Sequence, residues 1–255
     1  MDVIQAVIFG VVEGITEFLP ISSTGHLMLT ARYLGIAQTE FVKSFEIAIQ
    51  SGAILAVVVL YWKVLLKDRK IWGKLLAAFL PTAVIGALLY RIIKGVLLDN
   101  SAVVLWALFL GGVLLILFEY LHREKEDAAA TLSAISYPQA LLIGLFQSFA
   151  VIPGVSRAAA TIVGGLIIGL KRRTIVEFSF LLAVPTMGAA MTLDLLKSAP
   201  SFNKDQFFVL AVGFLVSFAV ALVAIRFLLV FIKNHTFIPF GIYRILIAVI
   251  FWLKY

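Results

Sequence analysis

The chain has 255 residues, of which 62% are hydrophobic and only 14% are charged. A soluble domain is about 45–50% apolar and about 25% charged, so this composition excludes an ordinary soluble fold, whose single core could not bury so much apolar surface. The net charge of +7 does not indicate a nucleic-acid partner, because the basic residues lie in short connections between apolar runs, where they set membrane topology. Without cysteines, the chain can form neither disulfides nor thiolate metal sites.

The apolar residues fall into segments long enough for helices that cross a bilayer, which need about 20 residues each. In chain order these predicted segments are residues 3–35, 41–62, 73–93, 101–121, 137–170, 175–196, 206–231 and 238–253. We therefore predict an all-α polytopic membrane protein with a single membrane domain, 1–255. The longest polar stretch, a loop at about 122–136, divides it into repeat one, about 1–121, and repeat two, about 137–255.

Two of these segments are too long for one simple span, and each is interrupted near its middle. The first contains Pro20 followed by three hydroxyl residues, and the fifth contains the sequence Pro153-Gly154-Val155-Ser156-Arg157. Such residues free backbone groups from the helical hydrogen bonds, which a membrane protein tolerates only where protein or water satisfies them. Interrupted segments in corresponding positions of two halves point to a binding site between the repeats.

The two halves also resemble one another at an offset of 134 residues. Residues 5–10 match residues 139–144, and Glu13 then falls opposite Gln147. Matching the prolines of the two interruptions requires a one-residue gap, which pairs Ser23 with Ser156.

The fold expected from these features is two inverted repeats, each with a broken re-entrant helical hairpin plus about three transmembrane helices. The basic residues then divide between two faces. Eleven lie on one face: Lys63, Lys67, Arg69, Lys70, Lys74, Arg123, Lys125, Lys171, Arg172, Arg173 and Lys233. Seven lie on the other: Arg32, Lys43, Arg91, Lys94, Lys197, Lys204 and Lys254. If the broken segments span the bilayer fully, the division becomes ten against eight. The positive-inside rule favours the first arrangement, with both termini outside the cytoplasm.

The first interruption is surrounded by candidate catalytic groups. Glu13 and Glu17 lie four residues apart, on one face of a helix and inside an apolar run, where ionisable residues mark functional sites. They could bind a divalent metal, or one of them could act as a base. The hydroxyls of Ser22, Ser23 and Thr24, followed by Gly25, open the next helix, where side-chain and backbone donors bind anions. His26 lies within one turn of these hydroxyls, within reach to activate one.

The second interruption supplies the cation. Arg157 is permanently charged and can grip phosphate oxygens in bidentate fashion. In the bilayer it needs either a glutamate or a phosphate as a partner. Gly154, Ser156 and Thr161 are candidates for further phosphate contacts. Arg244, in the last segment, is interpreted as a packing or snorkelling residue.

The residues from Glu13 to His26, together with Pro153 to Arg157, resemble the bacterial undecaprenyl-diphosphate phosphatases of the BacA/UppP family, and the resemblance covers essentially the whole chain. It maps the family's Glu-x-x-x-Glu motif onto Glu13 and Glu17, and its Pro-Gly-x-Ser-Arg motif onto Pro153 to Arg157. The family often has a serine after the arginine, where this chain has Ala158.

The resemblance implies hydrolysis of the terminal phosphate of a long polyprenyl diphosphate, aided by Mg²⁺ or Ca²⁺, in the bacterial cytoplasmic (inner) membrane. This reaction recycles the lipid carrier of cell-wall synthesis and is associated with bacitracin resistance. The partners implied are the lipid substrate and membrane lipids, with a site towards the outer leaflet; a homodimer remains open.

Several alternatives remain open from the sequence alone. A secondary transporter or ion channel also has inverted repeats with broken helices, and a flippase for the same lipid carrier would suit the architecture as well. A membrane scaffold fits poorly with two glutamates and an arginine at membrane depth. The phosphatidic-acid-phosphatase type is excluded, because it needs a later histidine about four residues before an aspartate, and the only histidine after Arg157 is His235. The attacking group could be Ser23, His26 or water.

Overall fold

The computed structural model describes residues 1–92, 97, 100–124, 128–198 and 204–254. In these ranges the regular structure is helical, without β-strands, and one isolated bridge joins Ala129 to Leu170. The α-helices in chain order are α1 (Val3–Thr16), α2 (Ser23–Tyr33), α3 (Glu40–Lys67), α4 (Arg69–Ile92), α5 (Ser101–Leu121), α6 (Tyr137–Ser148), α7 (Arg157–Ile167), α8 (Arg172–Ser198), α9 (Lys204–Phe231) and α10 (Ile238–Lys254). Two short 3-10 helices cover Leu132–Ala134 and Phe149–Val151.

Several of these helices have the length and composition of membrane spans. Among the described residues, four helices qualify: Glu40–Lys67, Arg69–Leu89, Ser101–Leu121 and Lys204–Phe231. Their outer surfaces carry exposed apolar side chains such as Leu66, Leu88 and Leu121, which water would solvate poorly and lipid chains accommodate. The predicted all-α polytopic membrane protein is confirmed.

The two interrupted segments each form a pair of helices, as predicted. The first helix of each pair begins with a capping box, formed by Asp2 with Gln5 in α1 and by Ser136 with Gln139 in α6. Each box satisfies backbone N–H groups that a helix start leaves free. The two boxes lie 134 residues apart, as do the first residues of α2 and α7, which have 11 residues each.

The interruptions also share one backbone conformation. We call residues 17–22 the first break and residues 152–156 the second break. Each ends in a serine with positive φ, +72° at Ser22 and +77° at Ser156, and these are the only non-glycine residues with positive φ in the described part of the chain. Each serine then caps the next helix, since its Oγ accepts a hydrogen bond from the backbone N–H of Gly25 or of Ala159.

This geometry corrects one detail of the sequence comparison. The one-residue gap that paired Ser23 with Ser156 is wrong, because the shared conformation pairs Ser22 with Ser156 and Ser23 with Arg157. The gap came from matching Pro20 to Pro153. The serine at which the chain turns into the next helix, rather than the proline, holds the equivalent position.

The helices of the two halves pack across one another. Helix α1 packs on α9 and α6 packs on α4, while α3 contacts α8 and α5 contacts α10. Glycines bring the first two pairs close: a Cβ on Gly10 would lie 2.7 Å from the carbonyl oxygen of Gly213, and one on Gly144 would lie even closer to that of Ala78. Each half therefore builds part of its packing from helices of the other half.

The polar stretch after α5 is held against the membrane helices. The backbone of Ala129 bonds to Gly169 and Lys171, and the ammonium group of Lys74 donates to the carbonyl oxygen of Ser133 at 2.7 Å. Of the basic residues assigned to the two faces, Lys94 and Lys125 lie outside the described residues.

Candidate active site

The two breaks are held together by the guanidinium group of Arg244 on α10, which is fully buried. It donates to five backbone carbonyl oxygens of the breaks and of α5, those of Pro20 (3.2 Å), Val155 (3.0 Å), Gly154 (3.0 Å), Ala107 (2.9 Å) and Leu108 (3.3 Å). Carbonyl groups that the breaks free from helical hydrogen bonds are thus satisfied by one side chain. The interpretation of Arg244 as a snorkelling residue is wrong, and its packing role is a specific one.

Glu17, directly after α1, contacts candidate site residues that follow each of the two breaks. Its Oε2 accepts a hydrogen bond from Ser23 Oγ at 2.5 Å, and its Oε1 pairs with Arg157 Nη2 at 2.9 Å. Arg157 also donates from Nη1 to the carbonyl oxygen of Ser179 on α8 at 2.8 Å. The carboxylate and guanidinium side chains are only 4% and 11% exposed, so each charge depends on the other for compensation.

A cavity of about 200 Å³ opens beside this pair and is lined by both breaks. We call it the polar cavity. Its lining residues are Glu17, Ser22, Ser23, Thr24, Thr82, Gln147, Ala150, Val151, Ile152, Pro153, Gly154, Ser156, Arg157, Thr186 and Met187. Seven of the candidate site residues therefore share one cavity, which brings hydroxyl, carboxylate and guanidinium groups together.

Glu13 lies one turn before Glu17 and is completely buried. Neither of its carboxylate oxygens has a hydrogen-bond donor among the described residues, and it lies within electrostatic reach of Glu17, Glu46 and Arg157. Unpaired buried carboxylate oxygens are what a hard divalent cation takes as ligands. The described residues contain no cluster of three or more His, Cys, Asp or Glu side chains placed to hold a metal ion, and Glu13 is not among the residues that line the polar cavity.

His26 is turned away from the polar cavity. Its Nδ1 lies 2.7 Å from the carbonyl oxygen of Ser22 and its Nε2 lies 2.8 Å from the hydroxyl of Tyr243, on whose ring it stacks. Both ring nitrogens are thus engaged, and His26 does not line the cavity. In this arrangement it supports the backbone at the first break.

Two of the predicted substrate-binding residues also lie outside the cavity lining. The hydroxyl of Thr161 is fully buried, bonds to the carbonyl oxygen of Arg157 at 2.9 Å and lies 2.6 Å from Ser179 Oγ. Gly25 is buried in the first turn of α2, where its N–H donates to Ser22. Both residues sit directly behind groups that line the cavity, where they can position them.

The cavity wall opposite the breaks contains threonines that the sequence analysis did not select. Gln147 donates from Nε2 to Thr82 Oγ1 at 2.8 Å and to Thr186 Oγ1 at 3.4 Å. Each threonine directly follows a proline inside a helix, Pro81 in α4 and Pro185 in α8. A Pro-Thr pair within an apolar segment was the available signal, because such a proline leaves a backbone carbonyl without its helical donor.

These features define a class of protein: a polytopic helical membrane protein with a polar cavity where two broken helices meet. Comparison with known proteins gives the family. The family model described as bacitracin resistance protein BacA matches residues 6–250, and the chain belongs to this family.

Three relatives illustrate the match, each bearing the name undecaprenyl-diphosphatase. The protein from Aquifex aeolicus is 54% identical over 247 residues, covering 97% of this chain and 96% of the relative. The protein from Sulfurihydrogenibium sp. is 52% identical over 255 residues, the full length of both chains. The protein from Persephonella marina is 48% identical over 253 residues, 99% of each chain.

Proposed function

We propose that this chain hydrolyses undecaprenyl diphosphate to the monophosphate and inorganic phosphate, and so recycles the lipid carrier of cell-wall synthesis and contributes to bacitracin resistance. The family and the names of its relatives support this activity. The observation that carries the proposal is the buried Glu17–Arg157 ion pair, which brings the acid of the first break and the guanidinium group that follows the second break to one cavity.

The phosphate groups are bound by donors from both breaks. Arg157 contacts phosphate oxygens and stabilises the charge that develops in the transition state. Ser156, the backbone at Gly154 and the hydroxyls of Ser22 and Thr24 surround the same space. A phosphate group in the cavity can therefore contact hydroxyl and guanidinium donors as well as lying near the carboxylate of Glu17.

Ser23 is the nucleophile that the geometry favours over His26. Its Oγ lies 2.5 Å from a carboxylate oxygen of Glu17, the arrangement in which a base can take the hydroxyl proton. For His26 to attack, it would first have to release Ser22 or Tyr243 and turn towards the cavity.

Glu13, with Glu17 beside it, provides the carboxylates for a divalent cation, Mg²⁺ or Ca²⁺, for which the unpaired oxygens of Glu13 are suited. When bound, such a cation neutralises phosphate charge. Glu17 keeps its contacts to Ser23 and Arg157 and so orients both groups.

The membrane arrangement belongs to the same proposal. The chain lies in the bacterial cytoplasmic membrane as two inverted repeats, about 1–121 and about 137–255, joined by the loop at about 122–136. Equal spacing of the capping boxes and breaks, and the packing of α1 on α9 and α6 on α4, support this division. The division of basic residues supports a site that faces the outer leaflet. A homodimer is compatible with the proposal and not required by it.

The decisive test is phosphate release from undecaprenyl diphosphate by the purified protein. We expect release that falls on addition of EDTA and returns with Mg²⁺ or Ca²⁺. Arg157→Met and Glu17→Gln should each lower kcat by about 100-fold or more, since each removes a group that acts in the transition state. Full activity of either folded variant would refute the site assignment.

The nucleophile is tested by rapid quenching of the reaction with radiolabelled substrate, followed by peptide mapping. A phosphorylated peptide that contains Ser23, absent in Ser23→Ala, supports serine attack. Label on His26, or no labelled protein at all while phosphate is released, would overturn the assignment of Ser23. Substrate transport across vesicles without phosphate release would instead favour a transporter.

A further inference from the structure

Gln147 lines the polar cavity and has a buried amide whose carbonyl oxygen lacks a hydrogen-bond partner among the described residues. Its side chain is 1% exposed and lines the cavity. Its Oε1 has no hydrogen-bond donor among the described residues. An unmade hydrogen bond of this kind costs about 1–3 kcal/mol, so a ligand of the cavity is the natural partner.

The orientation of the amide is determined by its two threonine neighbours. The hydroxyl of Thr82 donates its one proton to the carbonyl oxygen of Gly144 at 3.1 Å, and that of Thr186 donates to the carbonyl oxygen of Leu182 at 2.7 Å. Both hydroxyls can therefore only accept from the amide, which turns the Nε2 of Gln147 towards them. Its Oε1 is left as a fixed acceptor.

A fixed, neutral acceptor selects the ligand. It repels the fully ionised oxygens of a phosphate, and it attracts a donor such as water. Water is also the co-substrate that any hydrolysis in this cavity consumes. Position 147 lies 134 residues after Glu13, whose carboxylate oxygens likewise have no donor in the described part of the chain, so the two halves place acceptors of this kind at equivalent positions.

On the basis of the proposed function, we propose that Gln147 is a positioning residue that holds the attacking water in the polar cavity. Thr82 and Thr186 fix the orientation of its amide. The water oxygen forms a bond to the phosphorus that is transferred, and the bond from that phosphorus to its leaving oxygen breaks. The proton lost by the water ends on the leaving oxygen, whether that oxygen belongs to the lipid monophosphate or to Ser23. Gln147 accepts a hydrogen bond from the proton that the water retains.

The test is competition between water and methanol as phosphoryl acceptors. The purified protein is given undecaprenyl diphosphate in buffer that contains methanol, and methyl phosphate and inorganic phosphate are quantified. In Gln147→Leu, which has similar size but no acceptor, we expect the ratio of methyl phosphate to inorganic phosphate to rise about three- to tenfold, the factor that one ordinary hydrogen bond carries.

Further variants separate positioning from folding. Thr82→Val with Thr186→Val frees the amide to rotate and should raise the ratio in the same direction. Gln38→Leu makes the same chemical change at an exposed residue outside the cavity and should leave the ratio unchanged. A structural role for Gln147 would lower both products in proportion, so an unchanged ratio in Gln147→Leu overturns the inference. Absence of any phosphate release by the parent protein would instead contradict the proposed function.

Discussion

At the scale of single residues, Glu17 makes the most consequential contacts of the site. Its carboxylate accepts a hydrogen bond from Ser23, the first residue of α2, and pairs with Arg157, 140 positions later in the chain. Water does not solvate either charge well enough to stabilise it without the other, because both side chains are almost fully buried. The pair therefore fixes the distance between the two breaks while it orients the groups that we assign to phosphate binding and attack.

Replacing Glu17 by Gln should reduce stability as well as activity. Removing one charge of a buried pair costs roughly 3–5 kcal/mol, because the remaining charge is left buried without compensation. We expect a clear fall in the thermal unfolding temperature in detergent. Glu40→Gln is the matched control: Glu40 is 92% exposed and its partner Lys43 is 51% exposed, and a pair at the surface is worth only about 0–1 kcal/mol. Equal unfolding temperatures for the two variants would contradict the buried pair.

Arg244→Lys tests the residue that holds both breaks. An ammonium group has three donors, whereas Arg244 makes five contacts to carbonyl oxygens. Each buried carbonyl left unpaired should cost about 1–3 kcal/mol. We expect lower thermal stability and loss of phosphatase activity.

The control for this variant is Arg226→Lys, since Arg226 lies exposed on α9. Measured by the same unfolding assay, it should match the parent protein. An Arg244→Lys variant as stable as the control would show that the two breaks hold their positions without the guanidinium group.

At the scale of helices, the site depends on two breaks that end alike. Each turns through a serine of positive φ that then caps a helix of 11 residues. Non-glycine residues adopt this conformation only at a cost of about 1–3 kcal/mol, so the surrounding structure must hold it. As a result, the first residues of α2 and α7 line the same cavity, and the start of a helix leaves backbone N–H groups without helical partners.

Gly154→Ala should disturb the second break. Gly154 has a φ of +95°, and a Cβ there would lie 2.7 Å from the carbonyl oxygen of Val104 on α5. We expect a loss of about 1–3 kcal/mol from steric conflict and backbone strain, together with reduced phosphate release, because Gly154 lines the cavity.

Gly86→Ala is the control at the helix scale. Gly86 lies within α4, and a Cβ there would meet nothing within 4 Å. Alanine is favoured over glycine inside a helix by about 1 kcal/mol, so this variant should be at least as stable as the parent by thermal unfolding. A Gly154→Ala variant that follows the same trend would refute the close approach of the second break to α5.

At the scale of the whole molecule, the orientation in the membrane can be tested directly because the chain has no cysteines. Gln38→Cys and Ser133→Cys place single thiols at exposed positions in two different connections. If the proposed topology holds, a membrane-impermeant maleimide added to intact cells labels Cys at position 38 and not at 133. After the membrane is opened, both should react. The reverse pattern would place the site towards the cytoplasm.

Much of the fold was predictable because a bilayer imposes strict requirements on helix length and composition. The unbroken segments predicted at 41–62 and 101–121 correspond to α3 and α5, since apolar windows of that length have no other stable structure in lipid. The interruption at Pro20 was predictable for the same reason. The register between the halves was not, because it depends on a backbone conformation at Ser22 and Ser156 that residue identity does not specify.

Some residues of the candidate site could likewise be identified from the sequence, and others could not. Glu17, Ser23 and Arg157 could be selected in the sequence because charged or clustered hydroxyl groups are costly at membrane depth unless they serve a site. Thr82 and Thr186 were not selected, although each follows a proline in an apolar segment, because a single threonine in an apolar helix is inexpensive and commonly bonds to its own backbone. Their importance arises only from their contact with Gln147, which no local pattern encodes.

The amino-acid sequence by itself determined that this protein spans a membrane, where its helices are interrupted, and which charged groups it must shelter there. Those properties follow from the transfer energies of individual side chains, which depend on residue type alone. Only the tertiary structure decided that Glu17 meets Arg157, that Arg244 binds the carbonyl groups of both breaks, and that His26 turns away from the cavity. Each of these outcomes depends on distances between residues far apart in the chain, and those distances are set by how the helices of the two halves pack across one another.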